Sequence, residues 1–379
     1  MRFHATHTQK LGSTSSIGVA TLVIAALLIA GPSSAVSAAA SQSVANAGAV
    51  PEVFAISCSS TKVCEALTTS AAKVEIFGTT TDGATWISQS VPSGLAAVND
   101  ISCPSTSTCY VAAEESSGRP VVLITDNGGK LWNASRLPTA MFNASGLSCR
   151  AVTTCEVVGT TDSGQLPEGF VVATTTSGKL WKVQKVPTGQ GKLYDISCAT
   201  TKSCEAVGLR GVKNADMIIG TSNGGTTWSS HAPPMGVFLS YTISCPTANL
   251  CVADGFLSPT ESEVMRTANA GATWSARSSP STKFFVAGVS CSNRTSCEIA
   301  VDVKKTATSV TGEVLVTTND GATWTPRSLP ASALHPSFVF CASPDVCEVT
   351  GNNPTVHGPR SFVLGTRNGG RTWSTQKLP

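Results

Sequence analysis

The chain has 379 residues, 41% of them hydrophobic and 13% charged, with a formal net charge of +3 at pH 7. A charge so close to balance leaves no electrostatic footprint for nucleic acid or an anionic membrane surface, and both are excluded as partners. Fourteen cysteines favour an oxidising compartment and disulfide bonds.

The first 40 residues predict a secretory signal peptide. Arg2 and Lys10 form a positive n-region, residues 17–30 an apolar stretch, and residues 36–40 a cleavage site of small residues. The apolar stretch is short for a membrane-spanning helix, which needs about 20 residues; an uncleaved anchor is the alternative. Residues 41–51 are predicted to be a short linker.

From residue 52 onward the sequence consists of seven copies of one unit. Each unit holds one cysteine pair in the pattern C-x5-C and one eight-residue box that ends in tryptophan. Successive first cysteines lie 45 to 50 residues apart, which is the length of a propeller blade. We therefore predict blades at about 52–94, 95–140, 141–189, 190–235, 236–281, 282–331 and 332–379.

The fourth unit shows why each copy predicts four strands. Asp195 to Cys198 alternates as a strand, and Cys204 to Gly208 forms a second strand after a short turn. Met217 to Thr221 is short and apolar, and a fourth strand opens at Thr227-Trp228 after a glycine-rich turn. Four antiparallel strands in each of seven units predict an all-β, seven-bladed propeller.

The two cysteines of each unit flank the hairpin between the first and second strands, within reach of a disulfide. Zinc is the alternative for paired cysteines, but it needs C-x2–4-C spacing and two pairs that converge. These pairs lie one per blade around a ring, so we predict seven disulfides within the blades. The predicted bonds are Cys58–Cys64, Cys103–Cys109, Cys149–Cys155, Cys198–Cys204, Cys245–Cys251, Cys291–Cys297 and Cys341–Cys347.

The tryptophan box reads T-x-N-x-G-x-T-W in units four to seven, for example from Thr221 to Trp228, and varies slightly in units one to three. It resembles the BNR or Asp-box repeat of sialidases, sortilin-type receptors and other secreted propellers. That resemblance implies a capped hairpin between the third and fourth strands, with the tryptophan packed into the blade. Such a box is a folding element, and the site must be argued separately.

The whole unit, I-S-C-x5-C-E-A-V-G…V-L-x-T-x-N-G-G-x-T-W…L-P, is similar to the repeat of the photosystem II stability and assembly factors, which are also seven-bladed. The resemblance covers residues 52–379. Here cysteines replace apolar residues of that repeat, and the basic patch expected of the family is absent from the sequence. The resemblance therefore implies the fold and not the photosynthetic role.

In a blade of this topology the 1–2 and 3–4 turns share one face, and the 2–3 and 4–1 loops share the other. The loops differ between units, and function concentrates on variable loops held by a rigid scaffold. We predict binding residues on the 2–3 loops, with arginine as the anchor type because it is enriched at hot spots. The candidates are Glu114, Glu115, Arg119, Arg210, Asp254 and Arg360. Further charges assigned to these loops, where solvated surface is the simpler interpretation, are Asp162, Glu168, Lys213, Asp216, Glu261, Glu263, Asp302, Lys304, Lys305 and His357.

A glutamate follows the second cysteine in five units. A ring of carboxylates is of the kind that binds Ca²⁺, but a position repeated in the scaffold more simply pairs with a hydroxyl or backbone N–H in its own or the next blade. We therefore predict no metal site. The five residues are Glu65, Glu156, Glu205, Glu298 and Glu348.

A carbohydrate-active hydrolase on the same fold is the alternative function. A sialidase-like site needs an arginine triad and a tyrosine nucleophile, yet the tyrosines adjoin the cysteine strands, and the histidines are too scattered for a metal site or a triad. Loop acids such as Glu114 or Asp254 would serve a paired-carboxylate glycosidase, but the sequence singles out no pair. The residues concerned are Tyr110, Tyr194, Tyr241, His231, His335 and His357.

The sequence thus favours a secreted or cell-surface binding or scaffold propeller without catalytic apparatus or cofactor. We expect a monomer that recognises a protein or a glycan, with no nucleic acid partner and no stable membrane insertion after signal cleavage. The first unit begins with its inner strand and the seventh ends with its outer strand, so we also predict that the ring closes by face packing alone.

Overall fold

A computed structural model describes residues 52–70, 73–161, 168–189, 191–209, 218–258, 261–277, 284–304, 310–353 and 360–379. These residues form 28 β-strands in seven four-stranded antiparallel sheets, without an α-helix. The predicted all-β, seven-bladed propeller is confirmed. Within this part of the chain no helix has the length and apolar character that crossing a membrane requires. The predicted signal segment and linker lie outside the described residues.

Each blade uses four consecutive strands. Blades one to four contain β1 Glu52–Cys58, β2 Cys64–Ser70, β3 Lys73–Thr79, β4 Ile87–Gln89; β5 Leu95–Ser102, β6 Cys109–Glu115, β7 Pro120–Thr125, β8 Asn133–Arg136; β9 Met141–Ala151, β10 Thr154–Thr161, β11 Gly169–Thr174, β12 Lys182–Gln184; β13 Leu193–Cys198, β14 Cys204–Gly208, β15 Ile218–Thr221 and β16 Ser229–His231. Blades five to seven contain β17 Ile243–Ser244, β18 Cys251–Ser258, β19 Glu261–Thr267, β20 Ser275–Arg277; β21 Phe284–Cys291, β22 Cys297–Lys304, β23 Val310–Thr317, β24 Thr325–Ser328; β25 His335–Cys341, β26 Cys347–Asn353, β27 Arg360–Thr366 and β28 Ser374–Gln376.

The first strand of each blade is innermost, because the first strands of neighbouring blades contact one another around the whole ring. They line the central channel, while the short fourth strands form the outer rim. The core lies between blades. Each of seven apolar clusters joins one blade to the next, and the last joins Val363 of blade seven to Ile56 and Trp86 of blade one.

All seven predicted disulfides are present, each between cysteines six residues apart in sequence, with Cα–Cα distances of 3.9–4.1 Å. The cysteines face one another across the first two strands, as Cys58 and Cys64 do in register. Because each bridge closes a hairpin within one blade, the disulfides brace the blades individually and do not join them.

Serine side chains join the inner strands of neighbouring blades. The residue before the first cysteine is serine in blades one to six, and its Oγ accepts a hydrogen bond from the backbone N–H of the first cysteine in the next blade at 2.9–3.1 Å. In blade seven Phe340 holds this position and packs against the apolar cluster shared with blade one. The ring therefore has six junctions with a serine bond and one seam with an aromatic ring.

The seam between blades seven and one is closed by polar contacts as well as by packing. Arg367 forms an ion pair with Asp82, and the Trp86 indole N–H donates to Gln376 Oε1 at 3.0 Å. The backbone N–H of Val53 donates to Ser361 Oγ at 3.2 Å. The prediction that the ring closes by face packing, without a strand that crosses between the terminal blades, is confirmed, since each terminal blade completes its own four strands; the polar contacts between the packed faces add to this closure.

The tryptophan boxes place two consecutive residues in the left-handed region. The second is glycine in every blade, for example Gly271 with φ +77°, and in four blades the first is not glycine. Gly271 is also constrained by space, because a Cβ atom there would lie 2.0 Å from His231 Nδ1 of the preceding blade. The box glycine therefore meets both a backbone and a packing requirement.

We expect Gly271→Ala to lower the free energy of unfolding by much more than Gly118→Ala. Both positions have positive φ, at +77° and +79°, so both carry the backbone penalty of about 1–2 kcal/mol. Only Gly271 has His231 in the way, and overpacking adds about 1–3 kcal/mol, whereas a Cβ on Gly118 meets open space. Urea unfolding of the two variants measures the difference. Equal losses would contradict the packing argument.

Candidate binding face

The turn face carries the cysteine hairpins and the tryptophan boxes, and in every blade one backbone hydrogen bond joins the two. In blade one it runs from the Asp82 N–H to the Lys62 carbonyl at 3.1 Å. Each box also satisfies its own polar groups: Thr221 Oγ1 accepts the Gly225 N–H at 3.0 Å, and Asn223 Oδ1 accepts a backbone N–H at the same distance. The repeated polar residues of this face serve the scaffold.

Where glutamine lies three residues after a tryptophan, its side chain reaches the next blade. Gln89 Nε2 donates to Glu65 Oε2 of its own blade at 2.7 Å, while Gln89 Oε1 accepts the indole N–H of Trp132 in blade two at 2.8 Å. Gln184 and Gln376 accept the indole N–H of the following blade in the same way. The same interblade hydrogen bond to the indole forms in each blade in which glutamine lies three residues after the tryptophan.

Three tryptophans have no such partner. In blades four, five and six the residue three positions after the tryptophan is His231, Arg277 and Arg327, respectively. The guanidinium groups of Arg277 and Arg327 offer no acceptor, and His231 Nδ1 lies against Glu205 Oε2 of its own blade. Within the described residues the buried indole nitrogens of the following blades make no hydrogen bond; these are Trp274, Trp324 and Trp373.

The five repeated glutamates are buried between blades and do not form an open carboxylate ring. All are 2–5% exposed. Glu65, Glu205 and Glu348 have side-chain partners rather than the predicted hydroxyls or backbone groups, and neither carboxylate oxygen of Glu298 has a partner among the described residues. Glu205 Oε2 lies 3.0 Å from His231 Nδ1, and Glu348 Oε1 accepts from Arg367 at 2.8 Å. Loss of water raises the pKa of Glu65 and Glu298 to about 8. These carboxyl groups are structural.

Two acid-and-sulfur groups among the described residues have ligand atoms within 4.8 Å of one another. They are Glu156 with Cys198 and Cys204, and Glu298 with Cys341 and Cys347. Both cysteine pairs are disulfide-bonded, and zinc binding requires thiolate sulfur. These groups do not fit a metal ion while the disulfides are closed.

The loop face holds the variable 2–3 and 4–1 loops, and the structure brings three predicted site residues together there. Glu114 and Glu115 end β6, and Arg119 lies exposed in the hairpin that follows, where its carbonyl accepts the Glu115 N–H at 2.9 Å. Arg360 begins β27 in blade seven. Arg210 lies outside the described residues, as do the predicted loop charges Asp162, Lys213, Asp216, Lys305 and His357.

Asp254 does not lie on a loop, contrary to the prediction. It lies inside β18 and is fully buried at 0% exposure, in a register position that is apolar or threonine in the other blades. Its Oδ1 accepts hydrogen bonds from Ser240 Oγ and from the N–H groups of Tyr241 and Thr242 at 2.8–2.9 Å. Three donors make the burial of a carboxylate tolerable. Seven other predicted loop residues also lie on strands. Glu114, Glu115 and Arg360 lie at strand ends, and the strands of blades five and six extend further than the unit suggests, so that they include Glu261, Glu263, Asp302 and Lys304.

A shallow groove of about 280 Å³ lies beside Arg119 on the loop face. Exposed Phe142 and half-buried Pro138 line it with buried Leu137 and Met141. Phe142 is 56% exposed, unusual for a phenylalanine in a soluble protein. The groove thus combines an exposed guanidinium with an apolar wall. Sequence reasoning found Arg119 but not Phe142, whose position on the first strand of blade three is visible only in the fold.

Aromatic rings form an arc where the inner strands of blades four to six begin, at the loop-face end of the channel. The ring centroids of Tyr194 and Tyr241 lie 5.0 Å apart, those of Tyr241 and Phe256 5.4 Å, and those of Phe256 and Phe285 6.2 Å. We call these four residues the channel mouth. Both tyrosines were visible in the sequence, but their convergence depends on which strands line the channel.

Two inner-strand aspartates adjoin the channel mouth and were not predicted. Asp195 accepts the N–H of Ile196 at 2.7 Å and of Ile243 in blade five at 2.9 Å, and Asp100 makes the equivalent bonds from blade two to blade three. Burial raises the pKa of Asp100 to about 7. Burial, and then the charge of Asp100, raise the pKa of Asp195 well above its ordinary value. Both aspartates directly precede an Ile-Ser-Cys sequence, and this shared position was the signal in the sequence that could have identified them.

A histidine–aspartate pair joins blades six and seven near the loop face. His335 Nδ1 lies 2.9 Å from Asp302 Oδ2, and Asp302 pairs in register with Phe285 of the channel mouth. The hydrogen bond to Asp302 raises the pKa of His335, and burial raises the pKa of Asp302. The pair links two blades at one end of the arc.

No family model and no curated protein matches this sequence. Solved structures share the fold at low identity. A structure titled YCF48 bound to D1 peptide has a TM-score of 0.58 at 14% identity, covering 86% of this chain and 92% of that chain. The BP39L lectin from Burkholderia pseudomallei has a TM-score of 0.62 at 16% identity, covering 86% and 98%. The GH74 xyloglucanase from Xanthomonas campestris has a TM-score of 0.60 at 13% identity, covering 89% of this chain and 55% of that chain.

Proposed function

We propose that this protein is an exported, monomeric, non-catalytic binding propeller that recognises a protein or a glycan through its loop face. The observation that carries the proposal is the groove in which exposed Phe142 stands beside Arg119. Arginine and aromatic side chains are the types that dominate binding energy at interfaces. Seven disulfides are consistent with an oxidising, extracellular environment.

The propellers with a similar fold support a binding role by analogy. One is titled as bound to a peptide and another as a lectin, and a third is titled as a xyloglucanase. At these identities the likeness concerns the fold, and the function must come from the site. In this chain three of the buried glutamates, Glu65, Glu205 and Glu348, are held by an amide, a histidine or an arginine of the scaffold, which favours binding over catalysis.

The test is a screen of the purified exported protein on a glycan array and a peptide array. We expect a ligand class that binds the wild type and binds Arg119→Ala and Phe142→Ala at least tenfold more weakly. Leu131→Ala is the matched control, because Leu131 is also 56% exposed but lies in a box on the turn face. Turnover of a chromogenic glycoside that is lost in Glu114→Ala would overturn the proposal in favour of a hydrolase.

A further inference from the structure

The channel mouth contains two tyrosines whose hydroxyls are not used by the scaffold. Tyr194 and Tyr241 are half-buried, and within the described residues neither hydroxyl makes a hydrogen bond. The third tyrosine behaves differently, since the Tyr110 hydroxyl donates to the Val152 carbonyl at 2.6 Å. A tyrosine hydroxyl that is buried normally has a hydrogen-bond partner. Because the hydroxyls of Tyr194 and Tyr241 have none in the scaffold that the structure describes, their rings and hydroxyls are available to a ligand.

The mouth adjoins two aspartates that have no cationic partner in the described part of the chain. Asp254 is fully buried, and its Oδ2 has no hydrogen-bond partner among the described residues, although Oδ1 has three. Burial is the main cause of the raised pKa of Asp195 and of Tyr241, and the nearby charge of Asp254 raises both further. Within the part of the chain that the structure describes, no lysine, arginine or histidine pairs with Asp254 or Asp195.

These two features are complementary to one kind of group. The face of an aromatic ring carries negative potential and attracts ammonium groups within about 6 Å, more strongly where water is excluded. A buried carboxylate close to the rings increases that attraction, since charges interact more strongly away from bulk water; Asp254 is bonded to the backbone N–H of Tyr241. A neutral sugar would use the rings, but it would leave the negative potential of Asp254 uncompensated.

We propose that the channel mouth binds the side-chain ammonium group of a peptide lysine, either free or methylated, on the rings of Tyr194 and Tyr241 beside the buried carboxyl groups of Asp254 and Asp195. The ring of Phe256 packs edge-on against that of Tyr241, and Phe285 packs against Phe256 in turn. This site goes beyond the groove at Arg119, which lies between blades two and three, and the two are tested independently.

The test uses calorimetric titration of the purified exported protein with three small probes: Nα-acetyl-lysine methylamide, its Nε-trimethyl form and its neutral Nε-acetyl form. We expect the two cationic probes to bind and the neutral one to bind at least tenfold more weakly. Tyr241→Leu should weaken cation binding about tenfold, whereas Tyr241→Phe, which keeps the ring, should retain most of it. Asp254→Asn keeps the acceptor for the three donors and should weaken binding by a similar factor.

Phe142→Ala in the groove is the control and should leave the binding of the cationic probes unchanged. Melting temperatures establish that each variant is folded, and the two Tyr241 variants keep the test decisive if Asp254→Asn unfolds. Equal binding of charged and neutral probes, absence of binding by all three, or binding of a neutral oligosaccharide that depends on Tyr241 would overturn the proposal. These outcomes do not bear on ligand binding at Arg119, which is tested by the array experiment.

Discussion

Raising the pH from about 5 to about 9 is expected to lower the free energy of unfolding by several kcal/mol. Burial raises the pKa of Glu65 and Glu298 to about 8, and that of Glu156 and Glu348 to about 7, from 4.5. The folded state therefore holds these protons more tightly than the unfolded chain. The stabilisation is complete below pH 4.5 and is lost as the pH rises through 7 and 8. For a single group, a difference of one unit between its pKa in the folded and in the unfolded state corresponds to about 1.4 kcal/mol in the free energy of unfolding.

Glu298 offers the sharpest control, because neither of its buried carboxylate oxygens has a partner among the described residues. Glu298→Gln keeps the size and cannot ionise, so we expect it to match the wild type near pH 5, to exceed it near pH 8 and to show a shallower pH dependence. Glu168→Gln changes an exposed carboxylate and should keep the wild-type profile. Urea unfolding at a series of pH values provides the data. A wild-type stability that is flat or rises over this range would show the argument to be wrong.

Complete reduction of the disulfides is expected to unfold the protein at 25 °C or to lower its melting temperature by tens of degrees. Each bridge closes a loop between cysteines six residues apart, for which chain entropy gives about 2.4 kcal/mol. Even half of that contribution from seven bridges is comparable to the about 5–15 kcal/mol by which folded proteins are stable. Circular dichroism melts with and without a phosphine reductant measure the effect.

Alkylation and mass spectrometry should count fourteen modified cysteines in the reduced sample, so that incomplete reduction is recognised. Replacing a single pair, Cys103 and Cys109, by alanine is the graded control, and we expect a loss of about 2 kcal/mol from one short loop. A fully reduced protein that melts at the same temperature as the oxidised one would show that the interblade packing suffices alone.

The repeat made the architecture predictable, because identical spacing in seven units leaves few ways to arrange the strands. Strand number, disulfide pairing and the division into a turn face and a loop face all follow from local pattern. Asp254 was misplaced because its blade lengthens β18, and because three donors stabilise a carboxylate at a position that is otherwise apolar or threonine. A local pattern does not reveal donors that lie on another strand.

The interblade contacts escaped prediction for a similar reason. Gln89, Gln184 and Gln376 recur three residues after a tryptophan, so the signal was present in the sequence. Its meaning depends on the next blade, since each glutamine accepts from an indole more than 40 positions away or at the opposite end of the chain. The channel mouth is likewise a product of neighbouring inner strands.

Each blade meets its two neighbours through different surfaces. On one side it offers acceptors, such as the Oγ of Ser148 and the Oε1 of Gln184, and on the other it offers donors, such as the N–H of Cys149 and the indole of Trp181. Such a contact is head-to-tail, the kind that builds either a ring or an open filament from separate subunits. Here one covalent chain closes the series after seven steps, so no donor side or acceptor side is left over. A fragment of fewer blades would expose one of each and would be self-complementary, whereas a circularly permuted chain would keep every junction.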